Sequence, residues 1–150
     1  MTTLLEITHG HQIIRMIHMS IGMIFLINAV LLLTRSFRGY VYHKKYSRLD
    51  NILSYAFLAN LYLQLLFGLF LIASPDSFFS SQDVSVKMAA DRFWPIEHMI
   101  LMLFALLIAN LGMILSNNSQ TSRDKYRKIL IYYSISIVMI VLSLSSILFF

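Results

Sequence analysis

Residues 52–73 read ILSYAFLANLYLQLLFGLFLIA, without one Asp, Glu, Lys or Arg. At a rise of about 1.5 Å per residue, such a run crosses the roughly 30 Å hydrocarbon core of a bilayer as a helix. Residues 16–33, 99–115 and 129–150 are uncharged in the same way, and each falls near the roughly 17–25 residues that a spanning helix needs. The whole chain of 150 residues is 58% hydrophobic and 13% charged, where an ordinary soluble domain carries about 25% charge. A chain this short has no second domain in which to bury the surplus. A soluble globular fold and a disordered chain are both excluded. The pattern predicts an all-α, integral membrane four-helix bundle in one domain, with helices over about 11–34, 52–73, 95–115 and 128–150.

Cysteine is absent, which removes disulfides, thiolate metal sites, iron–sulfur clusters and covalent c-type haem attachment. Residues 1–5 bring no positive stretch, and no small-residue cleavage pattern follows. The first run is therefore expected to stay as the first helix.

Charge sets the expected orientation. Arg35, Arg38, Lys44, Lys45, Arg48, Arg123, Lys125, Arg127 and Lys128 flank the first and third connections, with Asp50 and Asp124 as their only acids. The other side keeps Arg15, Lys87 and Arg92 against Glu6, Asp76, Asp83, Asp91 and Glu97. Positive loops stay cytoplasmic during insertion, so both termini are expected on the outer, periplasmic side of a bacterial inner membrane crossed several times. Cations beside spans contact anionic lipid, each worth about 1 kcal/mol near the surface. They do not line a groove, so the expected partner is the lipid bilayer and not nucleic acid. Tyr40, Tyr42, Tyr46, Tyr55, Tyr126, Tyr132 and Tyr133 gather near the cytoplasmic boundary, as amphipathic rings do. Trp94 and Pro95 mark the expected outer start of the third helix, with proline in its first turn. Just before it, residues 84–93 mix apolar and charged side chains in the manner of a short interfacial helix.

Ionisable groups inside a span are costly and usually functional. The first helix carries His11, Arg15, His18 and Gly22 at steps of four, three and four, all on one face. The third opens with Glu97 and His98, and Met102, Ala105, Ala109 and Gly112 continue the His98 face with small residues. The second has Asn60, Gln64 and Gly68 at steps of four. The fourth offers only serines, among them Ser136, Ser143 and Ser146, which suit close helix contact and are assigned no chemistry. The first and third helices run parallel, so His98 meets the outer part of the first helix. Two histidines at one depth on two helices of a bundle can clamp a haem iron from both faces. Arg15 would pair with a haem propionate or with Glu97. Gly22 and the small face of the third helix would make room for the macrocycle.

Plainer readings stand beside these. Helix-borne histidines also bond headgroups and loops, Arg15 can snorkel, and Asn60 and Gln64 can glue helices together. Met102 suits core packing, His9 a terminus and His43 a solvated loop. Spacing leaves His11 and His18 both open as the partner of His98, because bounds read from sequence are uncertain by about two to four residues on each helix, a few ångströms of depth.

The string His9-Gly10-His11-Gln12-Ile13-Ile14-Arg15 resembles the His-x-His-x-x-x-Arg opening of a family of short four-helix bacterial membrane proteins labelled cytochrome b-like. Gln64–Leu69 followed by Ser74-Pro75, and Arg92-Phe93-Trp94-Pro95-Ile96-Glu97-His98, resemble the second helix and third-helix entry of that family. The resemblance implies a b-type haem and favours His11 and His98 as its iron ligands. Asn60 or a neighbour stands where relatives would carry a helix 2 histidine, so that helix is not expected to donate a ligand. A second resemblance is to bacterial four-helix protoporphyrinogen oxidases, from which the chain departs by having His98 in place of a lysine. The expectation is one-electron transfer through haem b near the outer face, between membrane quinol and a redox partner protein. Quinone is a second ligand, with Gln64 as its candidate hydrogen-bond donor. Two alternatives are a non-redox accessory subunit among other membrane protein subunits, and an enzyme of the oxidase type.

Overall fold

The computed structural model describes the backbone of residues 2–73 and 88–149 and the side chains of residues 10–73 and 95–144. Four helices follow one another: α1 (Thr2–Val41), α2 (Arg48–Ala73), α3 (Met88–Asn117) and α4 (Ser122–Phe149). All four hold segments long and apolar enough to cross a membrane. Large apolar side chains such as Met16, Met23, Ile27, Val30, Leu107, Ile114 and Val138 point outward. In water that surface would demand a cover; in a bilayer, lipid is the cover. The chain is a multi-pass membrane protein.

Neighbours in sequence pack as neighbours in space, and α4 closes the ring against α1. α1 and α3 therefore sit on one diagonal. The contacts run antiparallel: His18 meets Gln64 and Arg35 meets Asp50 between α1 and α2. Tyr62 meets Asn110 between α2 and α3, and His98 meets Ser143 between α3 and α4. Both connections rich in Lys and Arg lie at one end, called the basic end below, and both termini run to the other.

The helices outrun the uncharged segments from which they were expected, for local reasons. α2 begins early because Ser47 and Asp50 form a capping box: Ser47 N–H donates to Asp50 Oδ2 at 2.8 Å, and Asp50 N–H to Ser47 Oγ at 3.4 Å. Thr121 and Asp124 start α4 alike, with Asp124 N–H donating to Thr121 Oγ1 at 3.2 Å. α1 continues to Val41 and ends on His43, whose φ of 52° is left-handed. Lys44 N–H then closes on Gly39 O at 3.0 Å, the bond of a Schellman stop. α3 begins before Pro95, which lies inside the helix and not in its first turn. The segment 84–93 correspondingly enters α3 from Met88, while residues 84–87 lie outside those described.

Without a strong hydrophobic drive between helices in lipid, close packing and polar bonds must join them. α3 and α4 approach over small residues. Ser136 donates to Ala105 O at 2.8 Å, and a methyl group at Gly112 would strike Tyr132. The centre is aromatic, with Phe57 stacked on Tyr133 at 4.5 Å and tilted against Phe25 at 4.8 Å. At the basic end Asp50 is 2% exposed. Its carboxylate accepts from Arg35 Nε at 2.8 Å, from Ser47 N and Oγ at 2.8 and 2.6 Å, and from Tyr126 OH at 2.7 Å. One carboxylate thus joins α1, α2 and α4. Gly39 allows it, since any Cβ there would enter the Tyr126 ring.

Three substitutions test these contacts by stability in detergent micelles. Asp50→Ala should cost about 2–4 kcal/mol, because Tyr126 and Ser47 lose a charged acceptor within the bundle. Arg35→Ala should cost less, about 1 kcal/mol, since the arginine side chain is 44% exposed and its charge is shared with water. Equal losses in thermal unfolding would count against the carboxylate as the centre of this network. His43→Gly should raise stability by about 1 kcal/mol by relieving the left-handed residue, and an unchanged melting temperature would refute that.

Candidate functional site

Close packing stops short of the terminal end. Phe25 on α1, Gln64 on α2, Met102 on α3 and Ile140 on α4 are the last buried residues of the continuous interior. Beyond that floor, among the described residues, only Ser143 is buried. Every other described side chain there is half-buried or exposed. This end carries His11, His18 and His98.

His18 lies on α1 just beyond the floor. Gln64 donates its amide Nε2–H to His18 O at 3.0 Å. Gly22, one turn along α1, admits that amide, because a methyl group there would stand 2.9 Å from Gln64 Nε2. Gly68 lies beside the His18 ring, a methyl group there being 3.6 Å from Cε1. The imidazole Nδ1 of His18 is buried with no hydrogen-bond partner. Leaving a buried polar atom unmet costs about 1–3 kcal/mol.

His98 lies across the diagonal on α3, at the same end of the bundle as His18. Its Nδ1 is 3.0 Å from Ser143 Oγ. Ser143 in turn donates to Ile140 O at 2.8 Å. His11, His18 and His98 thus share this end of the bundle. His11 is half-buried and seven residues before His18, about 10 Å farther along the helix.

The other expected residues divide clearly. Gln64 is buried and its amide nitrogen is engaged with His18 O. Arg15 and Glu97 are exposed, and among the described residues they form no ion pair with each other. Met102 is a core residue. His9 and Ser146 have side chains outside the described set. The small face of α3 does not leave room for a macrocycle. Ala105, Ala109 and Gly112 are buried, with Ser136 and Tyr132 of α4 packed onto Ala105 and Gly112. Close helix approach is what those residues serve. Gly22 likewise receives the Gln64 amide. Any room for a large group lies above the floor, among the half-buried histidines.

Ser143 was the residue to which sequence gave no role. Its signal was register: Ser136 and Ser143 are seven apart on α4, as Ala105 and His98 are on α3, and the antiparallel helices pair them. No group of three or more potential metal-binding side chains occurs among the described residues. Two imidazoles remain, a donor set that suits an iron already held by four macrocycle nitrogens. The unmet Nδ1 of His18 fits such a role. Compared with known proteins, the chain matches no family model, no curated protein and no solved structure.

The Gly22–Gln64 contact can be measured by a double-mutant cycle. Gly22→Ala alone should destabilise or be neutral, since the methyl group displaces the amide from His18 O and offsets the gain in helix propensity. In a Gln64→Ala background the same change should stabilise by about 1 kcal/mol, the propensity difference alone. Equal effects in both backgrounds would remove the contact.

Proposed function

We propose that this protein is a membrane-embedded b-type haem protein for one-electron transfer, with His98 of α3 and a histidine of α1 as iron ligands. The observation that carries the reading is the buried, unpartnered Nδ1 of His18, at the end of the bundle that also carries His98. It favours His18 as the α1 ligand. The resemblance to cytochrome b-like proteins supports haem independently and favours His11. A haem with two protein nitrogens supplies a one-electron iron couple without an open coordination position.

The chain's own residues have distinct tasks in this reading. Phe25, Leu61, Met102 and Ile140 form an apolar base that keeps water from the site's inner side. Gln64 fixes the α1 backbone at His18 through its carbonyl. Gly68 leaves the His18 ring space against α2. Arg15 and Glu97, both exposed, stand at the rim where propionates and a redox partner would meet them. The basic end faces the cytoplasm of a bacterial inner membrane and the site faces outward, by the distribution of Lys and Arg. Membrane quinol is the proposed donor.

A reduced-minus-oxidised spectrum of protein made with ample haem tests this directly. The expected result is a low-spin b-type signal that His98→Ala abolishes or converts to high spin. His18→Ala should do the same, while His11→Ala keeps the six-coordinate spectrum. The reverse pattern would move the α1 ligand to His11. A wild-type protein without a haem signal would overturn the redox reading and leave an accessory subunit of a membrane complex. Turnover of protoporphyrinogen by the haem-loaded protein would instead make it an enzyme.

A further inference from the structure

We infer that Ser143 is the positioning residue of His98, setting the tautomer that makes Nε2 the nitrogen for iron; the iron half of this inference rests on the haem reading above. Ser143 has one hydroxyl proton, and the Ile140 carbonyl at 2.8 Å can only accept it. The Ser143 oxygen then has lone pairs to offer, so the 3.0 Å contact with His98 is made by Nδ1–H donating. In a neutral imidazole the lone pair consequently lies on Nε2. Axial histidines are oriented in this way, one ring nitrogen donating to a fixed acceptor while the other binds the metal, and the bond raises ligand basicity.

The place of Ser143 in the bundle supports a role beyond packing. It is 1% exposed, and it is the one buried side chain among the described residues of α4 past Ile140. Its neighbours Val141, Leu142 and Leu144 face lipid. A serine whose only task was close helix approach would need no particular proton direction. Here the back-bond to Ile140 commits the proton and leaves the oxygen as an acceptor for the histidine. The Ser136 hydroxyl, one heptad earlier, directs its bonding to carbonyls alone, Ala105 O and Tyr132 O. The two serines share a face, and only Ser143 meets an ionisable ring.

Two measurements test the inference separately. Nitrogen-15 NMR of haem-free protein in micelles reads the His98 tautomer without any cofactor. Nδ1–H is expected in the wild type, shifting toward Nε2–H in Ser143→Ala and recovering in Ser143→Thr. In haem-loaded protein, losing the bond should weaken the ferric form relative to the ferrous form about tenfold, which raises the midpoint potential by about 59 mV. Ser143→Thr should keep the wild-type potential and show that the hydroxyl is responsible. An Nε2–H tautomer in the wild type overturns the inference. So does a Ser143→Ala protein with unchanged tautomer and potential, even with haem bound. A wild type that binds no haem overturns the iron half together with the cofactor reading, while the tautomer measurement still decides whether Ser143 sets His98.

Discussion

The Asp50 carboxylate holds the bundle at its basic end. An anion buried in a protein that lies in lipid must have its charge met, and here four donors meet it: one guanidinium nitrogen, one backbone N–H and two hydroxyls. Those donors come from α1, from the turn before α2 and from α4. The same residue is the reciprocal partner of the Ser47 cap, so the start of α2 and the tie to α1 and α4 are one arrangement. Other contacts build around it. Ser54 back-bonds to Asp50 O at 2.9 Å, Tyr133 OH donates to Ser54 O at 3.2 Å, and Tyr46 lies 5.0 Å from Tyr126. Lys125 rests over the Tyr46 ring, bringing a cation from α4 onto the first connection.

A bundle tied at one end can be looser at the other. Among the described residues, the packed interior runs from Tyr126 and Ile129 up to Phe25, Met102 and Ile140. Polar contacts described at that level join Gln64 to a carbonyl of α1 and His98 to a hydroxyl of α4. Neither is required to close the ring of helices, which the lower contacts already do. This is the division expected where one part of a small protein supplies rigidity and another is kept for a ligand.

Composition and charge blocks were enough to read four apolar helices in an antiparallel ring, because lipid imposes one requirement on every residue of a span. The polar faces were legible only in part. Spacing placed His11, Arg15 and His18 on one stripe of α1, but it could not show that the ring of His18 has an unmet buried nitrogen. Depth across two helices depends on where each runs, and α3 begins at Met88, ahead of the Pro95 from which its start was expected. Ser47 and Asp50 carried a readable capping signature, yet Asp50 counted only as an acid in a basic loop. Its burial depends on Gly39 and Tyr126, far away in sequence. The small face of α3 was correctly seen as a place of close approach. What approaches is α4, since serine and tyrosine side chains on that helix match the alanines and the glycine.

The same physical rule connects the two ends. A polar atom inside lipid must find a partner within the protein, because no water will supply one. Asp50 satisfies the rule with four bonds, Asn28 by donating to Leu53 O at 3.3 Å, and Ser116 by reaching Lys125 O at 3.4 Å. Among the described residues, His18 Nδ1 is the buried side-chain nitrogen or oxygen atom that does not. Its cost could have been removed by many apolar residues at that position without loss of packing, because the surroundings are only half-buried. The fold itself supplies no bond for this nitrogen, and that is what the proposed ligand role of His18 would explain.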